Sequence, residues 1–162
     1  MLKQITVYAE NKKGTMKDIT GILAGHDINI WGSVTNESSE FGMVRMIVSD
    51  PDKALKELSA QDYLCRMTNV IGVEVEDEVG NLNALLAAFL DSNINVDYVY
   101  LSFNRDTGKP VLVLHTEDLE EAESCILSKG FSAIKCRSWR GYFKRIRKRA
   151  CRCSQSAGFI VC

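Results

Sequence analysis

Residues 5–16 read ITVYAENKKGTM and residues 71–82 read IGVEVEDEVGNL. Laid on one another at an offset of 66, Ile5, Val7 and Gly14 fall on Ile71, Val73 and Gly80, Asn11 on Asp77, and Met16 on Leu82. Ile28-Asn29-Ile30 falls on Ile94-Asn95-Val96 at the same offset. Beyond residue 40 the register drifts by a residue or two, as loops of unequal length require. The chain therefore divides into two copies of one unit, 1–67 and 69–136, and an extension, 137–162. A repeat is settled before local structure, because it fixes how often one fold is used.

Each copy carries the same order of elements. Ile5, Val7 and Ala9 alternate with Gln4, Thr6 and Tyr8, a period of two that predicts a half-buried strand. A glycine-containing loop, Asn11 to Thr15, follows. Met16, Ile19, Ile22 and Leu23 recur at helical spacing, and Gly25 is placed to end that helix. In the second copy Leu82, Leu85, Leu86, Phe89 and Leu90 form the matching apolar stripe. Strands over 28–34 and 43–48 flank the polar loop 36–40, and strands over 94–103 and 111–115 flank the turn 104–108. Asp50-Pro51 starts a second helix, with Asp as the cap and Pro in the first turn. Ala54, Leu55 and Leu58 turn its face inward, as do Ala122, Cys125 and Ile126 in the second copy. A last strand, 63–68 or 131–136, closes each unit. The order β-α-β-β-α-β predicts an α+β chain of two ferredoxin-like units packed as a tandem pair. A unit of about 67 residues buries only a small core, which favours joining the two.

The charge is unevenly spread. Lys and Arg number 20 and Asp and Glu 21, but residues 137–152 hold eight basic side chains and no acidic one. Residues 1–136 are left with 12 basic and 21 acidic side chains, an acidic body with a basic extension. No apolar run approaches the ~20 residues of a membrane span. Met1 to Thr6 lacks the apolar stretch and cleavage site of a signal peptide, so a cytoplasmic protein with reduced thiols is expected. The extension interleaves Trp139, Tyr142 and Phe143 with arginine and lysine, a composition able to bind nucleic acid or an anionic membrane. Its composition also changes abruptly, as a shifted reading frame would produce, and a disordered or non-native segment is the expectation.

The repeated motifs resemble those of ACT domains, small ligand-binding modules attached to enzymes of amino-acid metabolism. Two stretches carry the resemblance: Asn11-x-x-Gly14-x-Met16 with Asp77-x-x-Gly80-x-Leu82, and Asp27-Ile28-Asn29-Ile30 with Asn93-Ile94-Asn95-Val96. As a free-standing pair the chain is similar to tandem ACT proteins described as amino-acid-binding. The resemblance implies a ligand between this loop of one copy and strand two of the other, held by Asn11, Gly14, Thr15, Met16 and Asn29 and by Asp77, Gly80, Asn81, Leu82 and Asn95. Physical chemistry allows such a site. A glycine between strand and helix permits positive φ and close approach to the backbone, and a helix N-terminus suits a carboxylate. Asn29 and Asn95 donate and accept, while Asn11, Asp77 and Glu78 supply oxygens for an ammonium. The same glycines would serve a tight turn with no ligand, and the asparagines would serve local backbone; as a repeated set they read as a site.

Catalysis finds no support. His26 sits at the end of the first helix, where a cation or polar side chain suits the dipole, and His115 ends a strand as a surface or edge residue. Glu74, Glu76 and Glu78 alternate onto one exposed face. No phosphate loop or zinc motif appears, and Cys151 and Cys153 lack a second pair at zinc spacing. The expectation is a protein that is not an enzyme and needs no cofactor or metal. The RNA-recognition fold shares the topology, but the strand 41–47 has no aromatic after Phe41 and the body is acidic, so nucleic acid is not expected as a partner. Edge strands in such small units favour a homodimer. The alternative to ligand binding is a regulatory subunit that acts on a metabolic enzyme through protein contacts alone.

Overall fold

The computed structural model describes residues 1–37 and 41–134. Cys136, the thiols beyond it and the whole basic extension lie outside the described residues. The elements run β1 (Leu2–Glu10), α1 (Thr15–Gly25), β2 (Ile30–Glu37), β3 (Phe41–Val48), α2 (Pro51–Ser59), β4 (Leu64–Glu74), α3 (Asn81–Asp91), β5 (Tyr98–Phe103), β6 (Pro110–His115), α4 (Leu119–Ser128) and β7 (Ser132–Ile134). The helix starts follow from the sequence. The Asp50 carboxylate accepts from the Lys53 N–H ahead of Pro51, and Asp118 accepts from the N–H groups of Glu120 and Glu121.

Two expected strands turn out to be one. From Leu64 to Val70, β4 pairs antiparallel with β1, and from Ile71 to Glu74 it pairs with β6. β7 adds to its other edge. The position expected to separate the copies, between 67 and 69, thus lies inside a continuous strand. It closes the first unit in the order β4-β1-β3-β2 and opens the second in the order β7-β4-β6-β5. Both are the ferredoxin-like arrangement.

Each unit buries a core between its helices and one sheet face. Ile5, Val7, Ile19, Leu23, Val44 and Leu58 fill the first; Ile71, Val73, Leu85, Phe89, Leu114 and Ile126 fill the second. The opposite sheet faces meet in a third core of Leu2, Ile47, Val70, Tyr100, Val111, Val113 and Ile134. This corrects the expectation of a half-buried first strand: Gln4 is 0% and Thr6 4% exposed, because their face is covered by the second unit. Gly72 is needed there, since a Cβ would lie 2.7 Å from Leu2 Cδ1.

The helical stripes are narrower than the spacing implies. Leu85 and Phe89 are buried, but Leu82, Leu90 and Met16 remain 43%, 78% and 40% exposed. All four helices stop the same way. In α1 the Asp27 N–H donates to Ala24 O and Ile28 N–H to Leu23 O; Asn93 and Ile94 end α3 with the same two bonds to Leu90 and Phe89. The left-handed residue is Asp27 (φ 59) or Asn93 (φ 54), not Gly25. Asp62 and Gly130 do this for α2 and α4, making four Schellman closures. The second repeated motif, from Asp27 and from Asn93, is therefore first of all a helix stop, which also delays β2 and β5 to Ile30 and Tyr98.

Candidate functional site

Gly14 and Gly80 stand immediately before α1 and α3 with nearly the same conformation, φ 99 and φ 98, and no side chain caps either helix. The Thr15 and Asn81 N–H groups turn back to Lys12 O and Glu78 O, and the next two N–H groups of each helix have no intrahelical acceptor. The first loop is drawn back onto its strand by Thr15, whose hydroxyl donates to Glu10 O at 3.1 Å. In the second loop Asn81 Nδ2 donates to Glu76 O at 2.9 Å, the same closure made with an amide.

Beside the first loop lies an open cavity of about 340 Å³. Its lining brings together four residues named from the sequence, Asn11, Gly14, Thr15 and Met16, with Glu10, Lys12 and Lys17; strand two of the other unit, expected to complete the site, does not line it. Ala9, Thr35, Gly42 and Val44 also line it and were not legible as site residues. All belong to the first unit. A cavity of about 250 Å³ in the second unit is lined by Asn81, Glu74, Glu76, Lys109 and Phe131 among others; Asp77, Gly80 and Leu82 are not among its lining residues.

Asn29 and Asn95 stand apart from their own loops. Ile30, at the start of β2, pairs with Val48, near the start of β1, whereas the Gly14 loop follows the end of β1. Because β4 runs on past the start of β1, the Gly80 loop lies at the end of the molecule where β2 begins. The units touch there: Arg105 Nη2 donates to Ile30 O at 3.3 Å and Ser102 Oγ to Trp31 O at 2.8 Å. The backbone of Asn29 is engaged with Ser49, and Asn95 Nδ2 reaches Asp97 at 3.3 Å.

The seam between the units holds a buried polar cluster with no sequence signal. Gln4 Nε2 donates to Tyr98 Oη at 2.8 Å, and Tyr100 Oη donates to Gln4 Oε1 at 2.9 Å. The Arg45 guanidinium lies 4.3 Å over the Tyr98 ring, and His115 stacks on the same ring with centroids 5.3 Å apart. His115 also pairs with Asp97 of its own unit at 2.7 Å, a partly exposed contact that leaves it half-buried at the margin of the seam. Burial pushes the Tyr100 phenol far above its ordinary range; Tyr98 adds to this and Arg45 opposes it. His26 caps α1 as expected, bonded to Ile22 O and to Glu57. Glu74 is half-buried, accepting from Asn104 and Thr107, and Glu76 pairs with Lys109, so the acidic run is not the simple exposed face expected.

Among the described residues no three His, Cys, Asp or Glu side chains gather as a metal site, and no helix is long and apolar enough to cross a membrane. A family model described as an ACT domain pair matches residues 1–139. No curated protein is similar enough to match. Among solved structures, protein BT0572 from Bacteroides thetaiotaomicron is 26% identical, with a TM-score of 0.79 over 86% of this chain and 95% of that one. The regulatory subunit of aspartate kinase from Thermus thermophilus, in its ligand-free form, is 12% identical with a TM-score of 0.57 over 79% and 92%. That from Thermus flavus is 14% identical with a TM-score of 0.55 over 78% and 91%.

Proposed function

The chain belongs to the ACT domain pair family, and on that premise we propose that it is a regulatory module that binds a free amino acid at the loop between β1 and α1. The observation that carries this is the cavity of about 340 Å³ beside Gly14, where a helix start without a side-chain cap faces lysine and glutamate side chains. A zwitterion needs a carboxylate site and an ammonium site a few ångströms apart. The α1 N–H groups with Lys12 and Lys17 supply the first, and Glu10 with Asn11 the second. Binding favours one arrangement of units or chains over another, and a partner reads the shift. Its action is regulatory and not catalytic, and a homodimer in the cytoplasm is its expected form. By analogy of fold with the aspartate kinase regulatory subunits, the partner is a catalytic subunit.

The test is a thermal-shift screen of the full chain against the twenty amino acids. A ligand at one hundred times its Kd adds about 2.7 kcal/mol, a rise of several degrees. A panel with no stabilising member refutes the reading.

A second reading rests on an observation of its own. Val79, Leu82 and Leu90 leave an apolar face on and before α3, and Leu101 and Phe103 are 53% and 51% exposed on β5. Such a face suits a protein contact, and a subunit acting only through contacts would use it. Co-purification of an enzyme together with an empty ligand screen would favour that reading.

A further inference from the structure

We infer that each chain holds one amino-acid site, in the first unit only, and that it takes an amino acid with an uncharged aliphatic side chain. This rests on the amino-acid-binding reading above and narrows it. The strand ladders identify which residues of the second unit stand where the cavity of the first is lined. Ala9 pairs with Gly42 and Thr35 with Val44. By the same ladders Leu101 pairs with Leu112, and Val75 N–H donates to Pro110 O. So Ala9, Thr35, Gly42 and Val44 correspond to Val75, Leu101, Pro110 and Leu112, and every replacement is larger, by seven side-chain heavy atoms in all. The second unit's cavity of about 250 Å³ shares only Val75, Glu76 and Asn81 with the equivalent position; it opens onto Lys109 and the turn from Gly130 to Ser132, and Gly80, Leu101, Pro110 and Leu112 do not line it.

Charge separates the two places in the same direction. Residues 10–18 carry Lys12, Lys13 and Lys17 against Glu10 and Asp18, while residues 76–84 carry Glu76, Asp77 and Glu78 and no base. A carboxylate approaching the start of α3 meets an excess of acid, with Lys109, paired to Glu76, the one base lining the cavity there; one approaching α1 meets lysine. Lys12 and Glu10 already form an ion pair at the cavity rim. A zwitterion can replace that pair, its carboxylate taking Lys12 and its ammonium Glu10, so no charge is left without a partner. The ligand's side chain then lies over Ala9, Gly42 and Val44, and the Thr35 hydroxyl is the one polar side-chain group these strand residues offer it. A charged side chain would lose its water there with no opposite charge to compensate it.

Calorimetric titration of the full chain with alanine, valine, leucine, aspartate, lysine and tryptophan tests this. The expected result is one bound aliphatic amino acid per chain and no saturable binding of the charged ones. Thr35 is solvent-exposed, so Thr35→Leu should keep the melting temperature while weakening binding about tenfold or more, equivalent to about 1.4 kcal/mol. Leu101→Thr should leave affinity and stoichiometry unchanged. Two ligands per chain, preference for a charged amino acid, or sensitivity to Leu101→Thr with indifference to Thr35→Leu would overturn the inference alone. Binding by none of the twenty amino acids in the thermal-shift screen would overturn the amino-acid reading and this inference with it.

Discussion

Gly14 and Gly80 adopt φ 99, ψ −17 and φ 98, ψ −10, yet the side chains around the first are cationic and small and those around the second anionic and bulky. The comparison separates what a repeated fold requires from what a site requires. The fold needs a left-handed residue ahead of each helix, and glycine supplies it twice. A ligand needs volume and complementary charge beside that turn; Gly14 lines a cavity of about 340 Å³, whereas the second unit's cavity does not reach Gly80. A repeat in backbone does not therefore imply a repeat in chemistry.

The largest expected effect breaks the frame that both loops share. Gly72→Val places Cβ 2.7 Å from Leu2 Cδ1 and 3.4 Å from Val111 Cγ1, where the two sheets meet. A loss of about 3 kcal/mol is expected, at the upper end for overpacking, read as a fall in the urea midpoint. Stability unchanged within error would mean that the seam yields. Next in size, Gln4→Leu leaves the Tyr100 hydroxyl without its acceptor and Tyr98 without its donor. About 2 kcal/mol should be lost, and Thr6 cannot replace both bonds.

Two substitutions sharpen the comparison directly. Gly14→Val and Gly80→Val meet no atom within 4 Å, so each cost is set by the left-handed backbone and should be about 1–2 kcal/mol and similar for both. Affinity should fall only with the first. Equal losses of affinity would make the two loops equivalent in function as well as in form.

A smaller effect is read in alkali. The Tyr100 phenol is held neutral in the fold, its proton affinity raised by burial, by Tyr98 and against the pull of Arg45. In the unfolded chain it ionises near pH ~10. Its contribution is whole below that pH and is lost as pH rises above it. Tyr100→Phe should flatten the alkaline decline in stability, and an unaltered slope would assign that decline to other groups.

Much of the fold was legible because it is local. Asp50-Pro51 marks a helix start by capping chemistry, and the period of Ile5, Val7 and Ala9 marks a strand. What was not legible depends on residues far apart in the chain. Gln4 and Thr6 read as a solvent face, and only their contact with Tyr98 and Tyr100, more than ninety residues on, buries them. β4 read as two strands because Asn69 interrupts the apolar pattern between them. Of the site, the glycine turn and Thr15 could be named from the repeat. Thr35 and Gly42 could not, because the offset that aligns Thr35 with Leu101 is 66, whereas the ladder aligns Gly42 with Pro110 at 68.

The most direct test follows backbone amides by NMR while the amino acid that most stabilises the chain is titrated in. Shifts confined to residues 10–17 with Thr35 and Gly42, and absent from 76–83, are the predicted result. Equal shifts at both loops, or shifts at the second alone, would contradict the account.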